Sequence, residues 1–203
     1  MYKYRFLVIN FDRNTIHPQE IKLNNMAPFF CTSLLLSLML AIPLICLKNA
    51  QLSVKVSKNV LKSICSVHEG PPFCLKALKS DPRTPSVDLV GLTNISMHFT
   101  DVAANKTFAH ISSLVNKTTN PNLKASYEVC LEFYDIILGD QEEARTALKA
   151  RDYFSVKSLS DSCISATEYC GDELTTDTSP LQQENKLMRY ICETQTLVSN
   201  HLP

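Results

Sequence analysis

From Leu123 onward the chain sets apolar residues three and four positions apart. Tyr127, Cys130, Leu131, Tyr134, Ile137, Leu138, Ala144 and Leu148 keep that spacing through about residue 149, and residues so spaced line one face of an α-helix. Arg151-Asp152 marks a brief break. A second stripe of Val156, Leu159, Cys163, Ala166 and Cys170 then predicts a helix over 153–174. After a polar loop at 175–180, a last helix over 181–198 presents Leu187, Ile191, Thr194 and Val198. Upstream, a helix capped by Ser86 or Asp88 runs to about 117, and Asn120-Pro121-Asn122 forces the turn that follows it. Two short helices, 53–66 and 73–80, flank the turn Glu69-Gly70-Pro71-Pro72, and Ser80-Asp81-Pro82-Arg83-Thr84-Pro85 is a breaker-rich linker. The predicted fold is all-α: an up-down-up-down four-helix bundle behind an N-terminal helical hairpin.

One stretch departs from these amphipathic patterns. Residues 28–47 carry no charge at all. A cleaved export leader is the preferred reading, ahead of an uncleaved membrane anchor and of a buried core helix. The segment before it is long and mixed, so Met26 is an alternative start; cleavage is expected within 46–53, with Ala50 as candidate. The chain thus divides into residues 1–50, extension and leader, and residues 51–203, the helical domain. Export places the domain in an oxidising compartment, where Cys65 and Cys74, nine positions apart around the Gly-Pro-Pro turn, pair and staple the hairpin.

Three sequons, at Asn94, Asn105 and Asn116, agree with export. Each lies 11 residues from the next, about three helical turns plus 20°. On one helix the three asparagines fall in a common sector with His98, Asp101 and Ser112, while Leu89, Leu92, Ala103 and Leu114 fall opposite. All three are expected to be glycan acceptors on the wet face.

Charge and composition narrow the chemistry. The formal net charge is zero over 203 residues, but residues 51–203 hold 15 Lys/Arg against 18 Asp/Glu, which argues against a nucleic-acid surface. Four glycines and no tryptophan speak against a β sandwich or barrel, and no phosphate-cradling loop or G-x-S-x-G occurs. The five histidines show no H-x-x-x-H, and no C-x-x-C is present, so no metal site is expected. The carboxylate pairs Glu142-Glu143 and Asp172-Glu173 are adjacent on helices and point apart. No catalytic residue and no cofactor are expected.

Several blocks, in order, resemble the plant invertase and pectin methylesterase inhibitor family. These are Ile64-Cys65 with Cys74, Leu78-Lys79-Ser80-Asp81-Pro82, Asp88-Leu89-Val90-Gly91-Leu92, Cys130-Leu131-Glu132-Phe133-Tyr134, Ala147-Leu148-Lys149-Ala150-Arg151-Asp152-Tyr153, Thr167-Glu168-Tyr169-Cys170 and Leu197-Val198-Ser199-Asn200. The resemblance covers roughly residues 60–203. It implies the same bundle, a first disulfide Cys65–Cys74 and a second, Cys130–Cys170. Cys163 and Cys192 lie outside that framework: they could pair, stay buried as small apolar residues, or, for Cys163, exchange with Cys170.

The resemblance also implies function: a secreted, apoplastic, non-catalytic plant protein, a monomer that docks 1:1 over the substrate cleft of a cell-wall enzyme. Two targets belong to the family, pectin methylesterase and acid invertase. Invertase-directed members carry Pro-Lys-Phe where this chain has Tyr153-Phe154-Ser155, which tilts the expectation toward pectin methylesterase. Expected contacts are exposed residues of the helices flanking the second disulfide: Asp152, Tyr153, Ser155, Lys157, Ser158, Asp161, Thr167 and Glu168. A bundle that kept the fold but lost inhibition is the remaining alternative.

Overall fold

Four of the described helices begin where a side chain receives a free N–H group of the first turn. In the computed structural model, which describes residues 54–174 and 181–203, Ser57 accepts the Val60 N–H (3.2 Å) and opens α1 (Lys58–Cys65). This start is later than the predicted residue 53. Residues 54–57 are not helical, and the Val56 N–H donates instead to the Val87 carbonyl at 2.8 Å. The second hairpin helix, α2 (Pro71–Ser80), starts earlier than predicted, because a proline at the first helical position loses no hydrogen bond. A 3-10 turn at Thr84–Ser86 follows. Asp88, not Ser86, then caps α3 (Leu89–Lys117), its carboxylate accepting the Gly91 N–H at 2.8 Å. Asn120 caps α4 (Pro121–Ala150) and Asp152 caps α5 (Tyr153–Glu173). The last helix is α6 (Leu181–Ser199). The leader and the 175–180 loop lie outside the described residues.

The four long helices form the expected ring. α3 packs mainly on α4 and α6, and α5 on α4 and α6, so α3 and α5 stand diagonally opposite. Tyr127, Cys130, Tyr134 and Ile137 of α4 meet Cys163, Ala166 and Cys170 of α5 and Met188 and Cys192 of α6 in the main core. Leu61, Ile64, Cys65, Cys74 and Leu78 of the hairpin bury against Leu92 and Val198 and close one end of the bundle. Burying these side chains gives the fold most of its driving force.

Three disulfides run through the described residues: Cys65–Cys74, Cys130–Cys170 and Cys163–Cys192, with Cα–Cα distances of 5.6, 4.6 and 5.5 Å. The first two are those that the resemblance implied. The third settles the question left open for Cys163 and Cys192: α5 is joined to α4 by one bond and to α6 by another.

The buried face of α6 is rotated from the predicted stripe. Leu187 is 48% exposed, whereas Asn185, Met188, Cys192 and Gln195 are buried beside Thr194 and Val198. The Cys192 bond to Cys163 and a hydrogen bond from Gln195 Nε2 to Ser160 Oγ (3.1 Å) hold that rotation. On α3 the buried face also carries hydroxyls. Thr93, Ser96 and Thr100 are buried, each donating to a carbonyl of its own helix: Leu89, Thr93 and Ser96 respectively. Such internal bonding lets a polar side chain enter the core without an unmet donor.

Candidate functional site

α5 alone among the long helices is held covalently on both flanks, through Cys170 to α4 and Cys163 to α6. With 3.6 residues per turn, Phe154, Ser158, Asp161, Ser165, Glu168 and Asp172 fall in one outward sector. All six are exposed. The sector is acidic and opens on Phe154, which is 83% exposed.

The expected contact residues separate into those on this face and those with other work. Ser158, Asp161 and Glu168 lie on it and are exposed. Asp152 is exposed, but both its carboxylate oxygens are engaged by Ser155, Oδ1 by the backbone N–H (3.1 Å) and Oδ2 by the hydroxyl (2.6 Å). Those bonds hold the Asp152 carboxyl below its ordinary value; Asp152 and Ser155 form a helix cap. Tyr153 is half-buried against the small core of Met97, Ala144, Leu148 and Val156. The Lys157 ammonium donates to the Leu202 carbonyl at 3.0 Å, anchoring the C-terminus. Thr167 is not exposed. It is 1% accessible, its hydroxyl donates to the Ile164 carbonyl, and its own carbonyl accepts from the Asn185 side chain. One turn short of Cys170, it faces α6 rather than solvent. The Cys130–Cys170 bond lies at the far end of α5 from Asp152–Asp161, so the expected residues do not form one patch around it.

Sequence reasoning passed over Phe154 as a contact. Its signal was a large apolar residue 200° around the helix from Val156 on the core stripe. A second aromatic feature lies beside the face, where Phe133 of α4 stacks on Tyr169 of α5 with ring centroids 5.3 Å apart.

Near its C-terminal half, α5 is tied to the hairpin by charge. Arg189 of α6 donates to Glu69 (2.5 and 2.7 Å) in the hairpin turn and to Glu168 (3.2 Å). The Arg189 hydrogen bond lowers the Glu69 carboxyl below its usual value. Beneath this pair His68 is buried, its Nδ1 accepting the Gly70 N–H (2.8 Å) and its Nε2 donating to the Tyr190 carbonyl (3.0 Å). Glu193 stands 3.4 Å from Nε2 and accepts the Glu69 N–H at 2.9 Å. The hairpin is thereby seated on α6 by polar contacts as well as by its apolar core.

An open recess of about 320 Å³ on the other side of the ring is lined by Arg83, Asn94, Met97, His98, Asp101 and Arg145. Its charges are already paired, Asp81 with Arg83 and Asp101 with Arg145. Among the described residues no group of three or more His, Cys, Asp or Glu side chains is placed to hold a metal ion. No described helix is long and apolar enough to cross a membrane.

Comparison with known proteins agrees with this architecture. The family model described as plant invertase/pectin methylesterase inhibitor matches residues 59–202. A pectinesterase inhibitor from Actinidia deliciosa is 32% identical over 182 residues, covering 88% of this chain and 98% of that protein. A cell wall/vacuolar inhibitor of fructosidase from Arabidopsis thaliana is 32% identical over 77 residues, 37% of this chain and 43% of that protein. A mutant form of a pectin methylesterase inhibitor from Arabidopsis has the same fold, with a TM-score of 0.65 at 24% identity, over 70% of this chain and 97% of that one.

Proposed function

Because the chain belongs to the plant invertase/pectin methylesterase inhibitor family, a family of enzyme inhibitors rather than enzymes, we propose that it inhibits a pectin methylesterase by binding 1:1 over the substrate cleft. The observation that carries this choice of target is the likeness to the Actinidia pectinesterase inhibitor, 32% identical over 88% of this chain; a putative invertase inhibitor from Platanus orientalis matches less well, 29% identical over 64% of this chain.

The proposed contact is the acidic α5 face, with Phe154, Ser158, Asp161 and Glu168 in the interface and Asp152, Ser155, Lys157 and Thr167 holding the helix that presents them. A helix bonded to both neighbours loses little conformational freedom on docking. Acidic groups around an aromatic anchor suit a target surface that is basic at its rim. The protein acts outside the cell, after removal of residues up to about 50, as a monomer.

One observation favours acid invertase as the target instead. Phe154 stands fully outward at the start of α5, where the resemblance places the Pro-Lys-Phe of invertase-directed members, although the proline and lysine are absent here. Titrating the oxidised protein against a pectin methylesterase and an acid invertase in parallel separates the readings. Loss of esterase activity at near-equimolar ratio, with invertase untouched, is the expected result. Loss of invertase activity alone reverses the assignment, and silence against both leaves a bundle without inhibitory function.

A further inference from the structure

The sequons at Asn94, Asn105 and Asn116 stand on a single unbroken helix, α3, and all three asparagines are exposed. Residues i and i+2 of a helix point about 200° apart. A sequon that shows its asparagine to water must therefore turn its hydroxyl residue inward. Ser96 is buried, donating to the Thr93 carbonyl, and Thr107 is buried as well. Thr118 differs: it is the residue past the helix end and is half-exposed. The enzyme that reads Asn-x-Ser/Thr must reach both side chains of the sequon, and in the folded bundle it can do so only at Asn116.

We propose that Asn94, Asn105 and Asn116 all carry N-linked oligosaccharide, and that the first two receive it before α3 packs into the bundle. The donor is a polyprenyl-diphosphate-linked oligosaccharide. The asparagine Nδ2 forms a bond to C1 of the terminal N-acetylhexosamine, and the C1–O bond to phosphate breaks. The polyprenyl diphosphate leaves with the electron pair, and Nδ2 gives up one of its two protons to a base of the transferase. The three chains would stand about 16 Å apart along the axis, within about 40° of one another. They would mask the outward face of α3, diagonally opposite α5. The asparagines are free to bear them. Asn105 and Asn116 donate only to carbonyls one turn back, Asp101 and Ser112, and Asn94 lines the rim of the open recess.

The test is peptide mapping of the full chain made in a eukaryotic secretory host, with enzymatic release of glycans in heavy-oxygen water so that each occupied asparagine is marked as labelled aspartate. Label at all three positions is expected, and N94Q, N105Q and N116Q, each on the exposed surface, should each remove one glycan from the intact mass. An unlabelled peptide at any of the three, in secreted or cell-retained protein, overturns the occupancy. For the order of events, full chain refolded from bacteria is offered to microsomes. Modification at Asn116 alone, or at none, is expected there, while transfer to Asn94 or Asn105 of the folded protein overturns the order. Neither arm depends on which enzyme is inhibited.

Discussion

At the scale of single residues, several side chains that look like free surface charges have structural partners. Asp81 is one case. Arg83 donates to both its oxygens, at 2.6 to 3.2 Å, and its own backbone N–H adds another bond. Those bonds depress the Asp81 carboxyl to about 2. A carboxyl that titrates lower in the folded than in the unfolded chain stabilises above about pH 4 and loses that effect as the pH falls toward 2. D81N should therefore be less stable than the parent at pH 7, with the difference shrinking steadily as the pH falls from 4 to 2, as read by urea denaturation across that range. Asp101 has the opposite sense, since burial raises it in spite of Arg145. Gly91 is decided by space instead. A Cβ there would come within 2.6 Å of Val87 Cβ, and Val87 also receives the Val56 N–H. G91A should cost about 1–3 kcal/mol, as overpacking does, and loosen the segment ahead of α1 first. Equal melting temperatures would show that Val87 yields freely.

At the scale of elements, the breakers were legible and the rotations were not. Asn120-Pro121, Arg151-Asp152 and Gly70-Pro71-Pro72 set helix ends close to where they are found, because proline and capping side chains act locally. The α6 stripe was misread because Leu187 and Ile191 are apolar while Asn185 and Gln195 are not, and the true face is chosen by partners on α4 and α5: Tyr134 bonds Asn185 and Ser160 bonds Gln195. Thr167 was mistaken for a contact residue for the same reason. The Cys163–Cys192 bond could not be read from spacing, since it depends on how α5 and α6 are turned toward each other. It closes 29 residues, so replacing both cysteines by serine should cost roughly 3–4 kcal/mol in the chain-entropy account. Calorimetry on C163S/C192S beside the parent would test this, and an unchanged Tm would mean that packing alone holds α6.

At the scale of the whole molecule, the ring arrangement puts chemistry of different kinds on opposite sides, sequons on α3 and acidic groups with Phe154 on α5. If the acidic face is what docks, complex formation should weaken as the pH falls through the carboxylate range. D161K/E168K should weaken it at pH 7 by tenfold or more, with only a small fall in melting temperature from the lost Arg189–Glu168 pair. F154A should weaken it too, with little change in salt dependence. Equal inhibition by the parent and D161K/E168K would move the interface off α5. The family and the bundle were legible in the order of short blocks and in the cysteine spacing. The face was legible only in part, since Ser158, Asp161 and Glu168 needed the structure to separate them from their capping and anchoring neighbours.

The three disulfides also divide the molecule in a way that the bundle's shape conceals. One bond closes within the hairpin, and the other two lie entirely among α4, α5 and α6. Among the described residues, none crosses from the first half of the domain to the second. A single protease cut at Arg151 would leave α4 and α5 on one molecule, joined through Cys130–Cys170. A single cut between Lys117 and Pro121 would leave the hairpin with α3 bound to the rest by packing and ion pairs alone. On a denaturing gel without reductant, the first nicked form should run as one band and the second as two. The helix joined to the bundle without a covalent cross-link is the one that bears the sequons.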